Sequence, residues 1–154
     1  MMTAVVDPTE VYRRYADELV RYATALVGPA DAPDVVTDAV MAAFRSPSWP
    51  TVTNQRAYLY RAVLNHAHSL RRSVTRRTAR ESRVAVLPMT QPAGSSADAQ
   101  RALADLSAQQ RAVVYLTYWE DLTPAQVSAL LEVSEGTVRK QLARAREQLR
   151  RTLR

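Results

Sequence analysis

The fold of the C-terminal half is decided by residues 107–149, SAQQRAVVYLTYWEDLTPAQVSALLEVSEGTVRKQLARAREQL. Thr123, Pro124 and Gln126 supply an N-cap, a first-turn proline and a capping-box partner, which predict a helix that begins at Pro124. After a short break in the apolar pattern, Ser134 offers a second N-cap. Two short helices separated by such a turn are typical of a helix-turn-helix.

The helix after Ser134 has an apolar stripe and a basic face. Residues that recur every three to four positions predict the buried stripe, namely Val138, Leu142, Ala145 and Leu149. The outward positions are Arg139, Lys140, Ala143, Arg144, Glu147, Arg150 and Arg151. On an isolated helix, a basic face is as often only a solvated surface as it is a DNA-binding surface. Because a capped helix and a turn precede this one, the pattern favours a recognition helix in the DNA major groove.

Positive charge is concentrated in two places along the chain. The 154 residues carry a net charge of +6, yet residues 61–83 hold seven arginines and one acid, and residues 139–154 hold seven Lys/Arg and one acid. The rest of the chain is therefore acidic overall. Two separate basic segments predict two contacts with a polyanion rather than a general effect on solubility.

Composition excludes several classes of protein. Hydrophobic residues make up 47% of the chain, which is enough for packed cores. The chain has no cysteine, which excludes disulfides, thiol catalysis and a Cys-based zinc site. It also lacks a signal-peptide pattern and any run of about eighteen apolar residues, so we expect a cytoplasmic protein without membrane insertion.

The remaining pattern predicts only helices. Capping and breaking residues place three of them in the N-terminal half, from Asp7 to Gly28, from near Asp31 to before Pro47, and from Thr53 or Asn54 to Arg72. Residues 73–96 are rich first in arginine and then in Pro, Gly and Ser, which predicts a flexible linker. Two helices, over 97–106 and 107–118, precede the helix-turn-helix. The predicted fold is all-α, with two small helical domains, 1–72 and 97–154, joined by that linker.

Three stretches of this sequence are similar to a known family. They are VYRRYADELVRYATALVG followed by DAPDVVTDAVMAAF, then TNQRAYLYRAVLNHAHSLRR, and LSAQQRAVVYLTYWEDLTPAQVSALLEVSEGTVRKQLARAREQL. They resemble regions 2.1 to 2.2, regions 2.3 to 2.4 and region 4 of bacterial RNA polymerase sigma factors of the extracytoplasmic-function (ECF) group of the sigma-70 family. The resemblance implies a transcription initiation factor that directs core RNA polymerase to promoters, has no enzymatic activity and needs no cofactor or metal.

The resemblance also implies a set of binding residues. Asp34, Thr37 and Asp38 would face the clamp helices of the polymerase beta-prime subunit, and the beta flap is a second expected contact. The minus-10 element would be recognised and melted through Trp49, Asn54, Arg56, Arg61, Asn65, Arg71 and Arg72. The minus-35 element would be bound through Thr137, Arg139, Lys140, Ala143, Arg144 and Arg146. An anti-sigma factor is a further candidate partner.

Two details depend on local geometry. Glu132 stands in the turn of the helix-turn-helix, where many members of the family have glycine, and a positive φ there would cost on the order of 1 kcal/mol. For the cluster of Tyr115, Tyr118 and Trp119, core packing is the preferred interpretation over base stacking. For Trp49, which lies in a predicted loop, both interpretations stay open.

Two alternative functions remain open at this point. A LuxR-type regulator would suit the helix-turn-helix almost as well, but the N-terminal half lacks the strand-helix alternation of a receiver domain. A metal-dependent nuclease would gather His66 and His68 with Asp34 and Asp38. Because histidines two positions apart on a helix point about 200° apart, they cannot easily share one metal ion.

Overall fold

The computed structural model describes residues 7–81 and 104–152. Their regular elements are α1 (Pro8–Val27), α2 (Ala32–Arg45), a short 3-10 helix (Trp49–Thr51), α3 (Gln55–Glu81), α4 (Ala108–Tyr118), α5 (Pro124–Leu131) and α6 (Glu135–Thr152). Within these ranges there is no strand, and the predicted all-α class is confirmed.

The capping signals of the sequence form the expected hydrogen bonds. The Asp7 carboxylate accepts from the Thr9 N–H at the start of α1 (3.0 Å). At the start of α5 the capping box is complete, because the Gln126 N–H donates to the Thr123 hydroxyl (3.2 Å) and the Thr123 N–H donates to the Gln126 side chain (2.9 Å). An equivalent box opens α4. These local bonds satisfy backbone donors that the first turn would otherwise leave unpaired.

The predicted end of α3 is wrong. The helix continues to Glu81, nine residues beyond Arg72, so the first part of the predicted linker is helical. Residues 73–81 contain neither proline nor glycine, and nothing in them prevents helical hydrogen bonds from continuing. Most of the helix predicted over 97–106, and the rest of the linker, lie outside the described residues.

The N-terminal half is a three-helix packing of α1, α2 and α3. Its core contains fully buried aromatic and aliphatic side chains, among them Leu19, Tyr22, Leu26, Val36, Tyr60 and Val63. The rings of Tyr22 and Tyr60 lie 4.5 Å apart between centroids. Because the three helices share this core, the exposed face of α2 and the basic face of α3 belong to one packed unit.

The C-terminal half packs directly on this three-helix unit. Helix α4 contacts α1 and α3, and α5 contacts α3. The buried residues of both halves form one continuous apolar cluster, and the ring of Tyr115 lies 6.1 Å from that of Tyr22 across the boundary. The sequence predicts each half but does not predict that they associate, because their contacts join residues far apart in the chain.

Candidate nucleic-acid interface

Helix α6 separates a buried stripe from an exposed basic face. Val138, Leu142 and Ala145 are buried, as predicted, while Leu149 is only partly buried. The opposite face exposes Arg139, Lys140, Ala143 and Arg144. Because these residues are exposed to solvent, this side of the helix can enter a DNA groove without repacking the core.

The start of α6 is fixed by its own side chains. The Ser134 hydroxyl accepts from the Thr137 N–H (3.0 Å) and lies 2.9 Å from the Thr137 hydroxyl. Thr137 is therefore partly engaged in the cap. One turn along, Arg139 forms an ion pair with Glu135 (3.2 Å), and its side chain is still 66% exposed. An exposed pair of this kind contributes little energy and leaves Arg139 available to DNA.

Arg146 is held by a neighbouring aromatic side chain. Its Nε and Nη2 atoms donate to the Tyr118 hydroxyl at 3.0 and 2.8 Å. Tyr118 and Trp119 are half-exposed at the end of α4, so the prediction of core packing holds only for Tyr115, which is partly buried. The ring of Trp119 stacks on that of Tyr115 at 6.4 Å. The end of α4 thus presents aromatic surface beside the basic helix.

Two of the predicted minus-10 residues have structural contacts within the N-terminal half. The Asn54 side chain accepts from the Ala57 N–H (3.0 Å) and caps α3. Arg56 forms an ion pair with Glu18 (3.1 Å), and its guanidinium lies over the ring of Tyr60. Burial opposes the charge of Arg56, but the Glu18 carboxylate prevails and raises the pKa of the guanidinium.

Two further arginines of α3 reach the C-terminal half. Arg61 forms an ion pair with Glu132 (3.2 Å), and its guanidinium lies over the ring of Tyr58. Arg71 donates to the carbonyl of Ala104 (3.1 Å). Asn65 and Arg72, by contrast, are exposed. The predicted minus-10 face is therefore only partly open in this arrangement.

Trp49 lies in the 3-10 helix that leads into α3. Its ring makes edge contacts with Phe44 (5.1 Å) and Tyr58 (5.6 Å), and it is partly buried. The side chain therefore belongs to a surface aromatic cluster. That cluster could serve both as packing and as one wall of a pocket for an unstacked base.

Helix α2 exposes a single stripe of residues. Asp34, Thr37 and Asp38 are all exposed on it. Met41, which is 51% exposed, extends the stripe by one turn and was missed by the sequence analysis. Its position seven residues after Asp34 was the available signal, because positions i, i+3, i+4 and i+7 share one helix face.

The two histidines do not converge. Nδ1 of His66 lies 2.9 Å from the Ala62 carbonyl oxygen on its own helix, while His68 is exposed. Among the described residues, no group of three or more His, Cys, Asp or Glu side chains is placed to hold a metal ion. No helix in the same ranges is long and apolar enough to span a membrane.

Arg111 was also missed by the sequence analysis. It is only 2% exposed, and its Nη1 atom donates to the Leu26 carbonyl of α1 (2.8 Å). Desolvation, together with the nearby charge of Arg71, lowers the pKa of the guanidinium to about 10. The signal in the sequence was an arginine at a core position of α4, three residues after the buried Ala108.

Family comparisons cover both halves of the chain. The family described as sigma-70 region 2 matches residues 11–77, and the family described as sigma-70 region 4 matches residues 96–149. A match to both halves does not favour a LuxR-type regulator, whose likeness would be limited to the helix-turn-helix.

Two curated relatives match almost the whole chain. An RNA polymerase sigma-E factor of Streptomyces coelicolor is 31% identical, with 99% of this chain and 89% of the relative covered. The ECF RNA polymerase sigma factor SigL of Mycobacterium tuberculosis is 33% identical, with 93% of this chain and 86% of the relative covered.

Two solved structures share the fold at 23% sequence identity. The sigma factor RpoE in complex with the anti-sigma factor NepR from Bartonella quintana aligns with a TM-score of 0.68 over 94% of this chain and 95% of RpoE. CnrH in complex with the cytosolic domain of CnrY aligns with a TM-score of 0.60 over 95% of this chain and 86% of CnrH.

Proposed function

The chain belongs to the extracytoplasmic-function group of the sigma-70 family, and we propose that each surface described above serves one step of promoter recognition. It is an alternative sigma factor, which binds core RNA polymerase and directs it to promoters through minus-10 and minus-35 elements. The observation that carries this function is the likeness to ECF sigma factors over both halves of the chain. We refer to the N-terminal half as region 2 and to the C-terminal half as region 4.

In region 4, α6 reads the minus-35 duplex from the major groove. Arg139 and Arg144 are exposed on its outer face and can bind guanine with two hydrogen bonds, each such pair discriminating by about 1–3 kcal/mol. Lys140 acts as a point charge and discriminates less between bases, while Ala143 can contact only a thymine methyl. Arg146 contacts phosphate from beside Tyr118, and Thr137 lies at the end of α6 that enters the groove.

In region 2, the segment around Trp49 captures a base flipped out of the minus-10 element. Flipping costs a few kcal/mol of unstacking, which aromatic contact and a basic groove must offset. Arg61, Asn65, Arg71 and Arg72 line the path of the DNA along α3. Asn54 and Arg56 act mainly by fixing the start of α3, because both already have partners within region 2.

Helix α2 docks on the clamp helices of the beta-prime subunit, and region 4 docks on the beta flap. Asp34, Thr37 and Asp38 supply the polar part of the α2 surface, and Met41 supplies apolar area beside it. A half-exposed methionine next to carboxylates suits a protein interface, since apolar contacts give affinity while charges give orientation.

The protein performs no covalent chemistry of its own and acts in the cytoplasm, where polymerase and promoter DNA are found. Its action is to position the polymerase and to stabilise melted DNA. An anti-sigma factor is a candidate regulator, since each of the two solved structures described above contains a second protein, named an anti-sigma factor in one of them.

Binding to sigma-free core polymerase tests the docking step. We expect the wild-type protein to bind core polymerase and Asp34→Arg to bind at least ten-fold more weakly, because charge reversal at an interface introduces repulsion. Asp17→Arg is the matched control, since Asp17 is an exposed acid on α1, away from the stripe. Equal affinity of all three proteins would contradict the α2 surface, and no binding by the wild type would contradict the function.

A further inference from the structure

The side chains of Tyr118 and Arg146 form an exposed pair on one flank of α6. The Tyr118 hydroxyl oxygen accepts from both Nε and Nη2 of Arg146, at 3.0 and 2.8 Å. The two residues lie 28 positions apart, so the pair joins the end of α4 to the middle of α6. Tyr118 is 50% exposed, and Arg146 is exposed as well. Such a pair contributes little to folding, because water can satisfy the same groups.

The polar groups that the pair has left are all donors. An arginine guanidinium only donates, through five N–H groups, and a phenolic hydroxyl has one proton to donate. Since the Tyr118 oxygen already accepts from Arg146, its own proton is available only to an acceptor outside the pair. Within residues 7–81 and 104–152 no group accepts this proton, and no carboxylate pairs with Arg146. Donors that surround one positive charge suit an anion.

Arg146 lies on the same side of α6 as Arg139, two turns further along, and both are exposed. Seven residues turn an α-helix through about 700° and advance it by about 10 Å, so the two arginines lie about 20° apart around the axis. The N-terminal end of a recognition helix enters the major groove, where Arg139 would face base edges. Two turns further along, Arg146 would be at the level of the phosphates that line this groove.

We propose that Tyr118 and Arg146 together bind one phosphate of the duplex, with the hydroxyl and the guanidinium both donating to its oxygens. The assignment rests on the proposed function of α6, and it adds Tyr118, a residue of α4, to the DNA contacts. Tyr118 also acts as a positioning residue, because its bonds to Nε and Nη2 hold the guanidinium before DNA binds. A side chain that is already ordered loses less entropy when its ligand binds.

The two side chains contribute in different ways. Arg146→Gln removes a charge, so it should weaken binding to duplexes of any sequence and reduce the slope of log affinity against log salt by about one. Tyr118→Phe keeps the ring and the net charge and removes only the hydroxyl. It should weaken binding by roughly three- to ten-fold with the slope unchanged, because a hydrogen bond to a charged group is lost.

Fluorescence anisotropy with the full chain and a short labelled duplex measures these effects. Two duplexes of unrelated sequence are compared at several salt concentrations, since phosphate contacts need no promoter sequence. Tyr12→Phe is the matched control, because Tyr12 is an exposed tyrosine of α1 whose hydroxyl makes no hydrogen bond within the described residues. Its affinity should equal that of the wild type. The urea midpoint of Tyr118→Phe should also stay at the wild-type value, which separates a binding role from a structural one.

The double variant Tyr118→Phe with Arg146→Gln tests whether both residues act on the same phosphate. If they do, removing the hydroxyl should cost clearly less affinity once Arg146 is gone, because no guanidinium is left to position. Additive losses would mean two independent contacts and would overturn the shared site. Unchanged affinity in Tyr118→Phe, or an equal loss in Tyr12→Phe, would overturn the role of the hydroxyl.

Binding to core polymerase separates this proposal from the proposed function. The wild type and Tyr118→Phe should bind sigma-free core polymerase with equal affinity, because the pair faces DNA. If Tyr118→Phe weakens core binding and leaves duplex binding unchanged, the surface around Tyr118 docks protein and the phosphate site is wrong. If the wild type itself does not bind core polymerase, the proposed function fails, whereas the anisotropy series still decides whether the pair binds phosphate.

Discussion

The two basic surfaces of this sigma factor are held in different ways. On α6, Arg139 and Arg144 point to solvent, and the ion pair of Arg139 is with its own helix. On α3, Arg61 and Arg71 are engaged by region 4. The basic face of α6 is therefore open to solvent, whereas two arginines of the basic face of α3 already have partners in region 4.

A buried arginine contributes to the contact between the two regions. Replacing Arg111 with alanine should lower the free energy of unfolding by about 2–4 kcal/mol, because the Leu26 carbonyl loses a charged donor and a buried space is left empty. Urea unfolding followed by circular dichroism measures the change. The exposed Arg13→Ala on α1 should stay within about 0.5 kcal/mol of wild type. A similarly small change for Arg111→Ala would mean that it does not hold the regions together.

Because the outer face of α6 is exposed, a substitution on it should reduce discrimination between DNA sequences rather than the stability of the fold. Arg144→Ala should reduce the preference for the cognate minus-35 sequence by about 1–3 kcal/mol, because one two-bond contact with guanine is lost. Binding of the holoenzyme to matched and mutated promoter duplexes gives the preference. Arg150→Ala, on the same helix but paired with Glu147, should weaken binding equally for both duplexes. An equal loss at all sequences from Arg144→Ala would remove it from base recognition.

The aromatic contact between the regions should weaken at alkaline pH. Burial and the hydrogen bond to Glu120 raise the pKa of Tyr115 to about 12, so its contribution is complete below about pH 10 and is lost as the pH rises towards 12. The loss is at most about 1.4 kcal/mol per pH unit for this group. The contribution of Arg111 to stability changes in the opposite sense over the same pH range, because the pKa of its guanidinium is lowered to about 10.

Tyr115→Phe isolates that contribution. Urea unfolding on either side of about pH 10 should show a larger loss of stability for the wild type than for the variant, because only the wild type has this proton to lose. Parallel pH profiles for the two proteins would show that Tyr115 is not linked to the contact.

The smallest expected effect concerns backbone strain alone. Asp121 and Glu132 both have positive φ, but only Glu132 has an ion pair within the described residues. Asp121→Gly should stabilise the protein by roughly 0.5–1 kcal/mol, because strain is relieved and no contact is lost. Glu132→Gly should stabilise it less, since the same relief is offset by loss of the Arg61 pair. Thermal unfolding of the two variants compares them, and a larger gain for Glu132→Gly would show that the ion pair contributes nothing.

Local signals explain what could be predicted from the sequence. Thr123, Gln126 and Ser134 bond to backbone groups within three residues, so the helix-turn-helix and its exposed face followed from the pattern. The end of α3 was predicted nine residues too early, because the arginine-rich composition after Arg72 is compatible with a linker as well as with a helix. Residues 73–81 contain no Pro or Gly that would end the helix.

Long-range contacts explain what could not be predicted. The hydrogen bond from Arg111 to the Leu26 carbonyl joins residues 85 positions apart in the chain. The ion pair of Arg61 with Glu132 joins two helices whose charged faces, judged from the sequence of each helix alone, would be exposed to solvent. A helical period identifies an apolar face but not the helix that covers it. The candidate residues of α2 and of the outer face of α6 lie on exposed faces, as the helical period predicts. Arg61 and Arg71 are only partly exposed, and their engagement by the other region required the structure.

Transcription by sigma-free core polymerase tests the function most directly. Runoff reactions on sheared genomic DNA from the source organism, with and without this protein, would be sequenced at their 5′ ends. We predict discrete new start sites that share two spaced upstream motifs, with the upstream motif losing its influence in Arg144→Ala. If the protein produces no new starts and does not bind core polymerase, the chain is not acting as a sigma factor.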